Sequence, residues 1–371
     1  MRGLLGRRGQ TAKVQIHATP FGVVADSPVA SGADVADAAE AAGVTLIEID
    51  TGGLRASVCD YGARLVSLTV PDRDGELADV VLGFDDVAGY VEDRAFVGAT
   101  CGRYGNRIRR GRFSIDGVSH EVDVNEPPNH LHGGQRGFDR AVWSIDIEEG
   151  AVVFSLDSAD GEQGFPGALH ATTTYRFAPD QVRIEMRAVT DESTIVNLVH
   201  HTYWNLAGHD QGSALGHELM IEAEAYTPVD DENLPTGELA PVVGTGFDFR
   251  QHRLVGGEAG SGDGVAYDHN WVLRKADGRL RRAALLRDPR SGRALRLDTT
   301  APGLQFYAGG GLGGGPVGKG GAVYGPNAGL ALESQVWPDS PNHAHFPDPT
   351  LHPRSTYAHD MLLTFSGRDN E

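Results

Sequence analysis

Apolar and polar residues alternate through the middle of the chain. Across 181–190, Val182, Ile184, Met186 and Ala188 fall on one side, and Gln181, Arg183, Glu185 and Arg187 on the other. That is the period-two signature of a half-buried antiparallel strand. Trp143, Ile145 and Ile147 alternate in the same way with Ser144, Asp146 and Glu148, and Leu219, Ile221 and Ala223 repeat the pattern. Turn-forming clusters at 71–75, 160–167, 230–237 and 256–264 separate such runs. Many short strands with Gly and Pro punctuation, and few helices, predict an all-β fold: a large antiparallel β-sandwich. The one helical candidate, residues 33–42, is rich in Ala and acid and stops at Gly43. The chain thus divides into an N-terminal extension, residues 1–43, loosely ordered or carrying a short helix, and a single β-sandwich domain over 44–371.

Composition narrows the partners. The 50 Gly and 19 Pro follow no fixed period and fit many turns between short strands. A formal net charge of −19, with no basic block, repels phosphate backbones and anionic membranes. Nucleic acid and membrane are therefore not expected partners. No apolar run reaches the ~18 residues that span a bilayer. Arg2, Arg7, Arg8 and Lys13 faintly echo a targeting peptide, but Gly9, Gln10 and Lys13 interrupt any apolar stretch behind them. Cys59 and Cys101 lie in apolar-rich segments without CxxC spacing, as expected of buried thiols in a reducing compartment. A cytoplasmic protein is expected, either monomer or homodimer. Residues 309–329 read as a low-complexity surface loop. Within it, 313–320 spell G-x-x-x-x-G-K-G, near a phosphate loop but without its Ser/Thr or a strand-to-helix setting. No nucleotide site is expected.

Candidate chemistry gathers in five segments: Gly102-Arg103-Tyr104-Gly105-Asn106-Arg107; Asn129-His130-Leu131-His132-Gly133-Gly134; 197–205, with His200, His201, Tyr203 and Trp204; Tyr267-Asp268-His269-Asn270-Trp271; and 332–339, with Glu333, Gln335 and Trp337. Polar groups interleaved with aromatics suit a sugar site, where rings stack on apolar C–H faces and Asn, Asp, His and Arg fix hydroxyls. Two other readings stand beside it. His130 and His132 on a strand share one face, and with His201 and Asp268 make a candidate metal site. Individually, His130, His200 or His269 can simply satisfy nearby backbone groups.

Taken together and in this order, the five segments resemble the aldose 1-epimerase (galactose mutarotase) family from about Val44 to Phe365. Tyr104-Gly105-Asn106-Arg107-Ile108, the LHGG at 131–134 and the LESQ–WPD at 332–339 are the specific parts. The resemblance implies a single large antiparallel sandwich with its site in a cleft, acting on free aldohexoses such as galactose or glucose. It places Glu333 as general base and His201 as general acid. It makes His132, Arg107, Asn106 and Asp268 sugar-binding residues, with Gln305 and Tyr307 on a strand that lines the cleft. Anomer exchange needs one base and one acid at C1–O5, and no metal or cofactor. Three positions depart from the family pattern: His200 and Gly310 stand where asparagine is common, and Arg354 where glycine is. Rival readings are a non-catalytic sugar-binding domain, an epimerase of a related sugar or sugar phosphate, and a metal-dependent enzyme.

Overall fold

The computed structural model describes residues 14–25, 41–257 and 266–367. Three antiparallel sheets carry the architecture. The first is a five-stranded meander of β1 (Gln15–Val24), β2 (Ala42–Asp50), β3 (Arg55–Cys59), β4 (Arg64–Pro71) and β5 (Leu77–Asp79). A nine-stranded sheet runs in spatial order Ser144–Glu148, Ala151–Ser158, Leu169–Ala178, Gln181–Thr190, Tyr357–Ser366, Ala294–Thr299, Arg281–Arg287, Glu218–Ile221 and Arg253–Leu254. A six-stranded sheet orders Tyr203–Trp204, Leu330–Gln335, Gly303–Tyr307, Asp268–Leu273, Ala223–Thr227 and Ala240–Pro241. One apolar cluster, running from Ile47 to Phe365, draws residues from all three sheets.

The period-two reading holds at Gln181–Thr190, where Val182, Ile184, Met186 and Ala188 are buried. It fades at Ser144–Glu148, where Ile147 is exposed, because that strand is the edge of its sheet and outruns the core. The expected loose extension needs correcting. Gln15–Val24 pairs along β2 in nine registered positions, because Phe21 and Val24 find an apolar cluster to enter. Residues 33–40 of the helical candidate lie outside the described residues, and Ala42 opens β2 rather than ending a helix. The one α-helix among the described residues, α1 (Val87–Glu92), is short and was not anticipated. Asp86 caps it, accepting from Gly89 N at 3.1 Å.

The glycine-rich 309–329 segment is mostly loop, but it is pinned. Lys319 is partly buried, and its Nζ donates to Asp79 Oδ2 (2.5 Å), Val66 O (2.8 Å) and Val81 O (2.9 Å). Its ammonium thus anchors the loop to the first sheet.

Candidate active site

The six-stranded sheet sets the floor of a cleft. Residues two apart on a strand share a face. Leu304, Phe306, Leu330 and Leu332 therefore go into the core, and Glu333, Gln305 and Tyr307 face the other way. Register aligns the polar face, with Gln305 opposite Glu333 and Asp268 opposite Tyr307. Glu333, Asp268 and Tyr307 line a cavity of about 200 Å³, with Asn106, Arg107, His132, His201, Tyr203, Phe96 and Arg94. That is below the ~300–1,000 Å³ of drug-sized sites and suits one small polar ligand.

Gln305 does not line the cavity. It is buried behind Asp268, donating from Nε2 to Asp268 Oδ1 at 2.7 Å, and so orients a lining residue instead of meeting the ligand. Arg107 is held as a fork by Glu126, with Nε–Oε2 2.6 Å and Nη2–Oε1 2.7 Å, and its Nη1 lies 3.8 Å from Asp268 Oδ2. Glu126 was not anticipated, since no pattern links it to Arg107 nineteen positions away.

His132 reaches the cleft from a turn. The strand His130–Leu131 ends before it, and its own φ is +49°. Gly133 must be glycine: a Cβ there would sit 1.7 Å from Gly102 O, at φ +95°. The LHGG motif is thus a tight fold-back that aims an imidazole. This turn separates the two histidines expected on one face. His130 instead serves local backbone, with Nδ1 2.7 Å from Asp123 O and Nε2 accepting from Gly133 N at 3.1 Å.

His201 and His200 point apart. His201 is clamped by main-chain bonds, His201 N to Ala99 O (2.8 Å) and Gly98 N to His201 O (2.9 Å), and lines the cavity. His200 is buried away from it, with Nε2 2.8 Å from Tyr175 Oη and Nδ1 3.2 Å from Thr202 Oγ1. His269 likewise leaves the cleft and packs among Phe247 and Tyr226.

Inside the cavity, His201 Nε2 stands 3.7 Å from Glu333 Oε2. Glu333 Oε2 and His201 Nδ1 are buried with no hydrogen-bond partner. Leaving such groups unpaired costs about 1–3 kcal/mol each, and the Glu333 oxygen, which faces His201 Nε2, is one that a ligand in the cleft can complete. Burial pushes the Glu333 carboxyl well above the usual range, with the Asp268 charge adding and Arg107 opposing. Burial also takes His201 down to about 4. Sequence reasoning missed Phe96, which packs on both imidazoles with centroids 4.6 Å from His132 and 5.9 Å from His201. It comes from a loop at φ +57°, where no periodicity signals it.

His132, His201 and Glu333 each bring a ligand-type atom within 4.8 Å of the others, a His₂Glu donor set. Two observations weigh against a metal there. His132 Nδ1 accepts from Asn106 N at 3.0 Å, which leaves the ring proton on Nε2 and no free lone pair. His201 Nδ1 lacks the carboxylate or carbonyl that a metal-bound imidazole usually donates to. The same bond makes His132 a neutral donor, and burial, with the neighbouring His201 ring and the Arg107 charge adding, holds its pKa well below the ordinary value.

Comparison with known proteins identifies the family. Residues 45–364 match the model of the family described as Aldose 1-epimerase. The chain is 40% identical over 323 residues to the Homo sapiens galactose mutarotase, covering 87% of this chain and 94% of the relative. It is 39% identical over 318 residues to the Escherichia coli aldose 1-epimerase, covering 83% and 91%. Among solved structures, the aldose epimerase homologue from C. elegans superposes with TM-score 0.80 at 34% identity, covering 85% of this chain and 97% of that one. The galactose 1-epimerase from Lactobacillus acidophilus gives 0.77 at 26% identity, covering 95% and 99%. The chain belongs to the aldose 1-epimerase family.

Proposed function

We propose that this enzyme, which interconverts the α and β anomers of free aldoses, uses Glu333 and His201 as its base and acid. The observation that carries the reading is the 3.7 Å gap between Glu333 Oε2 and His201 Nε2 inside a buried cleft. The O1 hydroxyl and ring oxygen O5 share one carbon and lie closer together than this gap. Each can therefore meet one side chain at the ~2.6–3.2 Å that proton transfer requires. Glu333 takes the O1 proton while His201 delivers one to O5. The C1–O5 bond breaks with its electron pair going to O5, and C1=O1 forms. Rotation about C1–C2 presents the other face of the aldehyde, and closure runs both transfers backwards. His132, as a neutral donor, meets charge growing at the ring oxygen. Arg107, Asn106, Asp268 and Tyr307 hold hydroxyls, and Gln305 acts through Asp268.

Burial favours the neutral form of both partners, a protonated Glu333 and an unprotonated His201, which is a pair holding one proton between the two limits. The ion-pair form has the same proton count and is the one that opens a ring. Two protons or none stop the reaction. As pH falls, the second proton goes to His201, held down to about 4; as pH rises, the last leaves Glu333 above the usual carboxylate range. The profile of kcat/KM against pH is expected to be a broad bell whose acid limb lies near pH 4. An acid limb at about 6.5, the value of a solvated imidazole, would contradict the one-proton pair.

Galactose is the substrate that several relatives' names point to, and glucose is the other aldohexose expected from the sequence. Polarimetry on freshly dissolved α-galactose and α-glucose, corrected for spontaneous mutarotation, tests the activity and ranks the two. If neither rotation decays faster with protein present, the reading fails. Activity is expected to survive exhaustive chelation, measured in the same assay after EDTA dialysis. Loss with EDTA and recovery with zinc would make the His₂Glu set a metal site. Residues 44–371 are read as one domain, supported by one core cluster that runs from Ile47 to Phe365. Buried free Cys59 and Cys101 support a reducing, cytoplasmic location.

A further inference from the structure

Two side chains that wall the cleft, Arg94 and Phe96, come from the segment that leaves α1. This segment is locked to the helix end. Asp93 accepts from Ala95 N at 2.9 Å and Val97 N at 2.8 Å. Arg140 donates to Val91 O at 3.2 Å and to Asp93 O at 3.1 Å. The position of α1 is therefore one of the supports that set where Phe96 sits, beside the bonds from Gly98 and Ala99. A six-residue helix has no stability of its own, so its position is set by what it packs on.

What it packs on includes β1. Phe21 and Val24 are buried in one cluster with Val87, Tyr90 and Phe84, and the Phe21 and Tyr90 rings lie 6.1 Å apart. The β1–β2 ladder slips between Pro20 and Gly22, a bulge that leaves Phe21 unpaired in the ladder. Gly22 has φ +129°, and a Cβ there would meet Val87 Cγ1 at 2.6 Å. Glycine thus lets the strand lie directly on α1. β1 precedes residues 45–364, the part that matches the family, so the family's recognisable motifs do not include this support.

We propose that Phe21 is a positioning residue for the cleft: through α1 it holds Phe96 against His132 and His201. The chain of contact runs Phe21 to Val87 and Tyr90, through the α1 end and Asp93, to the Phe96 ring. This rests only on measurable mutarotation, and not on which of Glu333 and His201 is the base.

The test is a double-variant cycle by polarimetry on the full chain, with folded fractions set equal by thermal melts. Phe21→Ala is expected to lower kcat/KM roughly tenfold, within the ~10²-fold that a 1 Å misplacement can cost. Phe21→Leu should regain most of that loss, and Val23→Ala, exposed on the same strand, should match wild type. The decisive reading is the pair Phe21→Ala with Phe96→Ala: if Phe21 acts through Phe96, the double variant is no slower than Phe96→Ala alone. Folded Phe21→Ala with wild-type kinetics, or losses that multiply in the double variant, would overturn the proposal. If Phe21→Ala does not fold, Gly22→Ala replaces it in the same cycle, read by the same two criteria.

Discussion

Glu333→Gln is expected to lower kcat by about 10²–10⁴-fold, the usual cost of a positioned base. That corresponds to about 3–5 kcal/mol of transition-state stabilisation. The amide keeps the shape and cannot accept the O1 proton. Stability should hold, because burial already favours an uncharged group at this position, and Gln places none but a neutral one there. Thermal melts alongside initial rates check both halves. Turnover within a few-fold of wild type would remove Glu333 from the base role.

His201→Asn is the second large effect. It removes the titratable proton while the main-chain bonds to Ala99 and Gly98 keep the segment in place. Most of kcat should be lost, with KM changing much less. His200→Asn should show the opposite pattern. Its ring is buried against Tyr175, whose hydroxyl also donates to Ala63 O at 2.7 Å. Breaking this bond should cost about 1–3 kcal/mol of stability and lower the melting temperature, while folded molecules turn over normally. A dead His200→Asn beside an active His201→Asn would move the acid to His200.

The contrast between the two histidines shows what the sequence makes legible. Period two assigns opposite sides to His200 and His201, an order that main-chain bonds to Ala99 and Gly98 preserve although the strand Val199–His200 ends before His201, and the motif names the one that faces the cleft. Glu333, Asp268 and Tyr307 are likewise readable, because one sheet face collects residues two apart. The orientation of His132 relative to His130 is not, because the strand stops between them and a positive φ breaks the period, and only the motif marks His132 as facing the cleft. Glu126 and Phe96 reach the site from irregular segments, where spacing carries no information about direction. Gln305 sits on the right face but one layer back, a matter of depth that periodicity does not encode. β1 was missed because its strand alternation is weak, with exposed residues through much of its length, and its partner α1 is only six residues long.

The central claim is that Glu333 and His201 work as one unit sharing one proton, and the rate of the double variant tests it most directly. Groups that act as a unit lose most of their contribution when either is removed. Polarimetric kcat for Glu333→Gln, His201→Asn and the double variant, measured at one pH on folded protein, should place the double variant within a few-fold of the slower single one. A double variant slowed by the full product of the two single losses would mean independent contributions, and would contradict the shared-proton pair.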